Sequence, residues 1–344
     1  MRAAFFVGSR QFELREVQDP QAGPGDIVVD VKACGVCGSD IRRWKEGPAG
    51  EPVISGHEAA GVVSQVGTDV KNFSVGDRIA IAPDIHCGTC YYCQQSLFNL
   101  CDNLHFLGMT SGYHGGFAEK ILLTEEVLEF GVVHKIPDRL SYDHAALSEP
   151  CSSVLACHDR IKTGIHDVVV VMGAGPIGCL HTAVAHARGA RVILSEPSEI
   201  RRALAKPFNP EGLIDPINQD LSEAVNNMTD GRGADVVICA NPVPATQTQA
   251  VEIVRKRGKV VLFGGLPKKD HMVLLDGNKI HYGEVQVIGS FSYHPLFHQY
   301  ALEALERGII PANDLITGIY PLDNVDQAFE AAVSGKTLKV LIKP

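Results

Sequence analysis

The first 148 residues carry short apolar stretches that are rich in β-forming residues and punctuated by glycine. Such stretches, separated by turn residues such as Pro24-Gly25 and Gly76-Asp77, are typical of β-strands rather than of helices. The pattern predicts a mainly antiparallel β domain with strands over residues 2–7, 12–17, 27–31, 58–66 and 78–82.

The pattern changes at about residue 149. Residues 168–172 are an unbroken apolar run, which is typical of a strand buried on both faces of a parallel sheet. A crossover helix is predicted over 245–257, with the basic run 255–257 complementing the C-terminal end of that helix. The other predicted elements of this region are a helix over 179–188 and strands over 191–194, 236–240, 259–264 and 285–289.

We therefore predict an α/β protein with a separate β-rich domain. The β-rich domain is placed at residues 1–148, and a doubly wound parallel-sheet domain at 149–289. Residues 290–344 are expected to complete the first domain, through helices over 296–307 and 325–333 and a strand over 337–342.

Length and charge narrow the possible functions. The chain has 344 residues, of which 45% are hydrophobic, and its formal net charge is −9. An acidic balance argues against a nucleic-acid partner, because phosphate binding requires a basic face. The sequence has no apolar run of about 18 residues and no signal-peptide pattern, so we expect a cytoplasmic protein without a membrane partner.

Four of the ten cysteines crowd into fifteen positions, as Cys87, Cys90, Cys93 and Cys101. Without secretory features, such crowding favours a metal site in a reducing compartment over disulfides. Four thiolates close a tetrahedral zinc shell and leave no open position, so the spacing predicts a structural zinc. Acidic and neutral polar residues around the motif argue against a zinc ribbon that binds nucleic acid.

A second candidate metal site combines Cys37 with His57, twenty residues later, each on a glycine-flanked turn. Ser39 follows the cysteine by two residues, and Glu58 directly follows the histidine. Zinc binds this mixture of sulfur, nitrogen and oxygen, and a catalytic zinc keeps one position open for water or substrate. We predict that this stretch is the chemical centre of the protein.

A glycine motif follows the buried run at 168–172. Gly173 is expected to make a tight turn, Gly175 to let a pyrophosphate approach the backbone at a helix N-terminus, and Gly178 to allow close packing of helix on strand. Glu196 lies 21 positions after Gly175, as the dinucleotide-binding fingerprint requires.

The preference between NAD and NADP depends on residues near Glu196. Its carboxylate would accept hydrogen bonds from the adenine ribose and repel a 2′-phosphate, which favours NAD. The basic pair Arg201 and Arg202 could hold that phosphate, so NADP stays an alternative.

Together these motifs resemble those of the zinc-dependent medium-chain dehydrogenase/reductase superfamily, and most of all its sorbitol (polyol) dehydrogenase-like branch. The resemblance covers essentially the whole chain and implies a GroES-like catalytic domain, a Rossmann domain that binds NAD, and two zinc ions per chain. The motifs that follow the family's order are Cys37-Gly-Ser-Asp40, Gly56-His57-Glu58, the four-cysteine lobe, Gly115-Gly-Phe-Ala-Glu119, Glu149-Pro150 and the glycine fingerprint.

By this resemblance, Cys37 and His57 are ligands of the catalytic zinc. Glu58 is either a further ligand or an adjacent carboxylate that exchanges with water. Glu149 takes the position of the third or water-bridged ligand and is favoured there over Cys151.

The resemblance also implies roles around the ligands. Ser39 would hydrogen-bond the alcohol and start its proton towards solvent, while Asp40 would orient His57. Trp44 and Tyr293 would line the substrate pocket. The residues implied at the cofactor, beside the three glycines and Glu196, are Pro176, Ile177, Arg201, Phe263, Gly265, Ser290 and Phe291.

Two positions depart from the family pattern. Arg42 stands where many relatives have a histidine that completes the proton relay, and Ser292 falls where polyol dehydrogenases carry a basic residue. Arg42 and Arg43 either bind a phosphate or carboxylate of the substrate or are solvated arginines at a domain edge.

The sequence therefore predicts reversible, zinc-assisted oxidation of a secondary alcohol on a polyol, cyclitol or sugar derivative, with hydride transfer to NAD. One alternative is a dehydrogenase of a phosphorylated or acidic sugar alcohol. A zinc-free reductase of the same fold and a nucleotide-binding regulatory protein without turnover are the others. The resemblance implies a homo-oligomer, either a dimer or a tetramer.

Overall fold

The computed structural model describes residues 1–47 and 52–344, and the chain divides into two units. The first unit contains Met1–Ser153, Ser292–Gly308 and Ile316–Pro344. The second contains Val154–Phe291 and Ile309–Leu315. Within the described residues, no helix combines the length and the apolar character needed to cross a membrane.

Strands predominate in the part of the chain before residue 148. The elements there are β1 (Arg2–Gly8), β2 (Gln11–Glu16), β3 (Ile27–Gly35), α1 (Gly38–Glu46), β4 (Glu58–Val66), β5 (Arg78–Ala82), β6 (Asp84–Ile85), α2 (Tyr91–Gln94), β7 (His105–Phe106), β8 (Lys120–Leu123), α3 (Glu125–Phe130), β9 (Val132–Lys135) and α4 (Tyr142–Ala145).

Strands and helices alternate through the middle of the chain. The elements are α5 (Ser148–Ile161), β10 (Val168–Met172), α6 (Pro176–Ala187), β11 (Arg191–Ser195), α7 (Glu199–Ala205), β12 (Gly212–Ile214), α8 (Leu221–Met228), β13 (Ala234–Cys239), α9 (Pro244–Ile253), β14 (Val254–Leu262), α10 (Gly277–Gly283) and β15 (Gln286–Gly289).

The C-terminal part returns to the first unit for most of its length. Its elements are α11 (Leu296–Glu306), α12 (Ala312–Leu315), β16 (Ile316–Pro321), α13 (Val325–Val333) and β17 (Lys339–Lys343).

The first unit is organised around a seven-stranded sheet in the order β16-β17-β3-β4-β5-β9, with β8 also paired to β3. All of its strand pairs are antiparallel except β16 with β17, which agrees with the predicted antiparallel domain. The C-terminal strand β17 thereby lies against β3, which leads directly into the Cys37 turn. Residues from the two ends of the chain therefore meet in this sheet.

The second unit contains a six-stranded, wholly parallel sheet in the order β12-β11-β10-β13-β14-β15. Every residue of β10 is buried, as its unbroken apolar run predicts. The strand order reverses beside β10, and ligands of doubly wound folds bind at the carboxyl ends of the strands at such a reversal. The glycine motif follows β10 at that edge.

The predicted crossover helix over 245–257 is partly wrong. Helix α9 ends at Ile253, and residues 254–262 form strand β14. The basic run 255–257 is therefore in a strand and does not complement a helix end. Arg255 instead pairs with the carboxylate of Asp235 on the neighbouring strand, with Nε 2.5 Å from Oδ1.

The core of the first unit is centred on aromatic side chains. Phe329 of α13 is fully buried, and its ring centroid lies 4.7 Å from that of Phe12, 5.6 Å from Trp44 and 5.8 Å from Phe117. These contacts pack the C-terminal helix onto residues from β2, α1 and the segment before β8.

Replacing Phe329 with alanine is expected to cost about 3–5 kcal/mol of unfolding free energy, because it leaves a cavity among three aromatic rings. Trp44 is the only tryptophan of the chain and contacts Phe329, so its fluorescence during urea denaturation reports on this core. Phe329→Leu keeps most of the volume and should lose less. Equal urea midpoints for Phe329→Ala and the wild type would contradict this packing.

Candidate functional site

The four predicted zinc-binding cysteines come together in the first unit. The sulfur atoms of Cys87, Cys90, Cys93 and Cys101 all lie within 4.8 Å of one another. The short helix α2 begins after Cys90 and carries Cys93, which returns the chain to the same point within one turn. The four cysteines that are closely spaced in the sequence therefore form a single cluster in the fold.

The cluster has the dimensions of a tetrahedral zinc site. Four sulfurs at the usual Zn–S distance of about 2.3 Å would stand about 3.8 Å apart. The Cys90 sulfur lies 3.5 Å from that of Cys93 and 3.8 Å from that of Cys101. Backbone N–H groups of Thr89 and Cys90 lower the pKa of Cys87 to about 5, which favours the thiolate form that binds metal.

The second metal candidate is built at the start of helix α1. Cys37 is the N-cap residue of that helix, and its backbone N–H donates to Oδ2 of Asp40 at 3.1 Å. Donor atoms of Cys37, His57 and Glu58 lie within 4.8 Å of one another, so these two predicted stretches do meet in the fold. A thiol, an imidazole and a carboxylate form a donor set that zinc accepts.

His57 is buried between the polar side chains of α1. Oδ1 of Asp40 lies 3.4 Å from Nδ1 of His57, and Oγ of Ser39 lies 3.4 Å from Nε2. Burial opposes a charge on the imidazole, but Asp40 and then Cys37 raise the pKa of His57 well above its ordinary value. The two ring nitrogens therefore face different partners, with Nε2 on the side of Ser39.

Glu58 forms a buried ion pair that the sequence analysis missed. Nζ of Lys339, on β17, lies 2.7 Å from both Oε1 and Oε2 of Glu58 and 3.2 Å from the carbonyl oxygen of Val36. Glu58 is fully buried and Lys339 is 3% exposed. Burial lowers the pKa of Lys339, but the Glu58 carboxylate and then the Cys37 sulfur outweigh it and raise that pKa above its usual value.

Gly35 makes room for this carboxylate. It pairs with Glu58 across β3 and β4, and a Cβ added to Gly35 would lie 2.0 Å from Oε2 of Glu58. Any side chain at this position would displace the carboxylate and break its contact with Lys339.

Glu149 lies outside the cluster of three donors but acts on it electrostatically. It is the second residue of α5 and is partly exposed, and the hydroxyl of Tyr293 donates to its Oε1 at 3.4 Å. Burial, together with the nearby Glu58 carboxylate, raises the pKa of Glu149 to about 8. Cys151, the competing candidate, is fully buried, and burial raises the pKa of its thiol.

Three predicted pocket residues of α1 lie in different settings. Arg42 is exposed, whereas Arg43 is half-buried and donates to the carbonyl oxygen of Gly108 at 3.0 Å. Trp44, expected in the substrate pocket, is instead a core residue that is 1% exposed and packs on Phe329. The helical turn directs Trp44 to the core because it faces away from Ser39 and Arg42.

In the second unit, the glycine motif has the form that a dinucleotide requires. Gly173 has a φ of 110°, and a Cβ on Gly178 would lie 1.8 Å from the carbonyl oxygen of Gly173. Gly175 caps α6, and nothing lies within 4 Å of its Cβ position, which leaves space for a ligand. Pro176 and Ile177 form the first turn of α6, whose N-terminus favours an anion.

The acidic residue of the fingerprint is fixed beside this loop. Oε2 of Glu196 accepts the backbone N–H of Ala174 at 2.8 Å, and Oε1 accepts that of Ser198 at 2.9 Å. Arg202 donates to the carbonyl oxygen of Glu196 and pairs with Asp215 at 3.0 Å. Arg201 and Arg202 are the two basic residues that kept NADP as an alternative cofactor. Arg202 is already paired with a carboxylate, and Arg201 lies on the same helix, α7.

The remaining predicted cofactor residues follow the carboxyl ends of β14 and β15. Phe263 lies with its ring centroid 4.4 Å from that of the buried His181, Gly265 is exposed, and the backbone N–H of Ser290 donates to Leu262 at 3.2 Å. Phe291 is 56% exposed. Because the sheet is parallel, these residues and the glycine motif share one edge of it.

Two residues near the metal candidates escaped the sequence analysis. Lys339 stands inside the apolar run Leu338–Ile342, and a lysine in such a run is a signal for a buried partner. Asp84 follows the buried strand β5 and is 7% exposed, and Oγ of Ser292 donates to its Oδ2. Neither residue belongs to a recognisable motif, because its partner is more than 200 positions away.

Removing the lysine of the buried pair is expected to destabilise the first unit. Lys339→Met leaves the Glu58 carboxylate buried without a counter-charge, which costs about 3–5 kcal/mol. Urea denaturation followed by Trp44 fluorescence measures the loss. The double variant Glu58→Gln/Lys339→Met should recover most of it, and an unchanged midpoint for Lys339→Met alone would refute a stabilising pair.

The two donor clusters predict separable metal sites. The wild type should contain two zinc ions per chain, and Cys101→Ser should lose one of them and expose the lobe to proteolysis, because a four-thiolate site stabilises its own lobe. Metal analysis by mass spectrometry, with limited proteolysis, tests this. Cys239→Ser, at a buried cysteine outside both clusters, is the control and should retain two.

Comparison with known proteins places both units in one family. Residues 23–138 match the alcohol dehydrogenase GroES-like domain, and residues 176–307 match the zinc-binding dehydrogenase domain. The chain is 34% identical to D-arabitol-phosphate dehydrogenase of Enterococcus avium, over 98% of this chain and 95% of that protein. It is 32% identical to sorbitol dehydrogenase of Bacillus subtilis, over 100% of this chain and 97% of that protein.

Solved structures agree over the whole length. A Sinorhizobium meliloti protein assigned as a zinc-binding dehydrogenase and bound to NADP has a TM-score of 0.92 and 32% identity, covering 100% of this chain and 99% of that one. The 2R,3R-butanediol dehydrogenase of Bacillus subtilis has a TM-score of 0.89 and 29% identity, with the same coverage. The expected fold class and oxidoreductase assignment are thus confirmed, and the chain belongs to the zinc-dependent medium-chain dehydrogenase/reductase superfamily, in its sorbitol (polyol) dehydrogenase-like branch.

Proposed function

We propose that the protein reversibly oxidises a secondary alcohol of a polyol, cyclitol or sugar derivative, with zinc and NAD. The observation that carries this proposal is the mixed cluster of Cys37, His57 and Glu58 donors, in a chain that also has a separate four-thiolate cluster. Since the four-thiolate cluster is closed, the mixed cluster is the one that can offer an open metal position to an alcohol. The sorbitol and arabitol-phosphate dehydrogenases among the relatives support this substrate class.

The chain's own residues have distinct roles in this proposal. Cys37 and His57 hold the zinc, and Asp40 orients the imidazole from its Nδ1 side. Lys339 already engages both oxygens of Glu58, so we assign the third position, direct or through water, to Glu149. A bound zinc lowers the pKa of an alcohol hydroxyl, and the nicotinamide accepts the hydride.

Ser39 is the proposed acceptor of the alcohol proton. Its hydroxyl lies 3.4 Å from Nε2 of His57, the ring nitrogen that does not face Asp40, and its side chain is half-exposed. Arg42, three residues further along α1, is exposed, and its guanidinium group offers hydrogen-bond donors but no acceptor. The proton therefore leaves from Ser39 directly to water in this proposal.

We assign the zinc chemistry to residues 1–148 with 290–344, together with Glu149 at the boundary, and the cofactor to the rest of residues 149–289. Glu196 lies at the glycine loop with its carboxylate fixed, and Asp215 neutralises Arg202. Both features support NAD over NADP, because a 2′-phosphate would meet a carboxylate and one engaged arginine. None of the ten cysteines forms a disulfide bond, which supports a reducing, cytoplasmic setting.

Zinc-loaded protein is expected to reduce NAD in the presence of secondary alcohols of polyols, and to use NADP with a kcat/KM at least about tenfold lower, because Glu196 repels the 2′-phosphate. The rate of NADH or NADPH formation, followed by the absorbance of the reduced nicotinamide, measures both values for a panel of alditols and cyclitols. The reverse reaction is measured with the corresponding ketoses. Reduction of neither cofactor by any substrate would refute the enzyme assignment, and cofactor binding without turnover would indicate a regulatory protein.

Ser39→Ala serves as the internal control of this assay. Loss of the proton acceptor should lower kcat by about 100-fold or more and leave the zinc content unchanged. Ser64→Ala, at a serine of strand β4 whose hydroxyl donates to the carbonyl oxygen of Val28, should retain wild-type turnover.

A phosphorylated sugar alcohol is the second candidate substrate, favoured by the 34% identity to D-arabitol-phosphate dehydrogenase. Arg42 is the exposed cation that could hold the phosphate, whereas Arg43 is already bound to Gly108. Replacing Arg42 and Arg43 with alanine would then raise KM for alditol phosphates and leave neutral alditols unaffected.

We further propose that two copies associate through the second unit. Strand β15 is an edge of the parallel sheet, and an edge strand can pair with its own copy across a two-fold axis. Met272 and Leu274, in the segment before α10, are 79% and 85% exposed, which is unusual for such large apolar side chains. A second copy on this face would pair with the free edge of β15 and would bury the side chains of Met272 and Leu274.

Light scattering coupled to gel filtration is expected to give a dimer or a tetramer for the wild type. Met272→Asp/Leu274→Asp should shift the mass towards a monomer, because two charges would be buried at the interface. Ile217→Asp, at an equally exposed apolar residue elsewhere in the second unit, should not change the mass. A monomeric wild type would refute the proposal.

A further inference from the structure

Asp84 is a buried carboxylate near the zinc candidate to which no role has been assigned. It forms the start of strand β6, pairs with Phe106 of β7 and is 7% exposed. A carboxylate is rarely buried without a charged partner. Among the described residues no cation forms an ion pair with it, so burial raises the pKa of Asp84 to about 6.

A turn in the C-terminal part of the chain holds this carboxylate in place. Oγ of Ser292 donates to Oδ2 of Asp84. Ser292 has a φ of 49°, a left-handed conformation that is uncommon for a serine and that the fold must maintain. This hydrogen bond is made to Oδ2 of the carboxylate and not to Oδ1.

The same turn connects Asp84 to the proposed metal ligands. Tyr293 follows Ser292 and is 3% exposed, and its hydroxyl donates to Oε1 of Glu149 at 3.4 Å. Asp84 and Tyr293 also line one small cavity together. Asp84 also acts electrostatically on both His57 and Glu149.

We propose that Asp84 is a specificity-determining residue that contacts the substrate, with Oδ1 accepting a hydrogen bond from a second hydroxyl group beside the reacting alcohol. Ser292 fixes the carboxylate through Oδ2 and leaves Oδ1 for the substrate. This inference rests on the proposed function, and it adds that the enzyme selects diols and polyols over alcohols with a single hydroxyl. The carboxylate also disfavours a phosphate or carboxylate group at that position of the substrate.

Two probes that differ by one hydroxyl test this directly. Turnover of 2,3-butanediol and of 2-butanol is measured for the wild type and for Asp84→Asn, at a pH of about 8 so that the carboxylate is ionised. Asp84→Asn should lower kcat/KM for the diol by about 10- to 100-fold and change that for 2-butanol by less than about threefold. Equal losses for both alcohols, loss of zinc, or an unchanged diol preference would overturn the assignment.

Ser292→Ala is the matched control, because it removes the hydrogen bond to Asp84 and keeps the carboxylate. It should retain most of the preference for the diol. If it lost that preference as completely as Asp84→Asn does, Asp84 would act only by fixing the turn, and the proposed contact would be wrong. 3-Amino-2-butanol carries an ammonium group in place of the second hydroxyl. If Asp84→Asn lowered kcat/KM for this compound more than for 2,3-butanediol, the assignment to a hydroxyl would be overturned in favour of an ammonium group.

Binding separates this inference from the proposed function. If the wild type oxidises none of these alcohols, the proposed function fails, but calorimetry with zinc-loaded protein and NADH still compares the affinities for 2,3-butanediol and 2-butanol. Tighter binding of the diol that disappears in Asp84→Asn supports the contact. Equal binding of the two alcohols by the wild type overturns it.

Discussion

The buried ion pair between Glu58 and Lys339 is the interaction on which the first unit depends most. Two charges without water are costly, and they are tolerated here because Nζ contacts both carboxylate oxygens and a backbone carbonyl. The pair fixes the start of β4, which carries His57 just before it, against β17. Gly35 is required because any Cβ there would occupy the space of the carboxylate.

The pair also sets the electrostatics of the metal candidate. Lys339 is the buried cation that faces Glu58, while Asp40, Asp84 and Glu149 add carboxylates around His57. Such a concentration of carboxyl groups suits a divalent cation, which favours their ionised form, and an uncharged, hydroxyl-rich substrate. It also explains why the pKa of Glu149 is raised, since a further charge there is opposed by burial and by Glu58.

The structural features that could be predicted from the sequence are those that neighbouring residues determine. The apolar run of β10, the spacing of Cys87 and Cys93 and the glycines of the nucleotide loop are local signals, and each has the predicted form. The end of the crossover helix was wrong because tertiary pairing with Asp235 draws the basic run into β14.

The parts that sequence could not predict join distant residues. Asp84 and Ser292 meet across 208 positions, and Lys339 and Glu58 across 281, and neither pair follows a motif. Trp44 illustrates the opposite error, because the family position suggested a pocket while the helical turn directs the indole into the core. A motif fixes which residue types are present, but only the fold decides which way each side chain faces.

The separation of Lys339 from Glu58 by 281 residues along the chain has a consequence for how the protein forms. During synthesis, the segments that carry Cys37 and His57 emerge before the parallel-sheet unit, yet strand β17 and helix α13 complete their sheet and core only after that unit has emerged. The parallel-sheet unit lies in the middle of the chain, so nearly all of its strands are available to fold on the ribosome before the first unit is complete. The first unit is therefore begun before the parallel-sheet unit and completed after it, and Glu58 lacks its counter-ion until strand β17 has been synthesised.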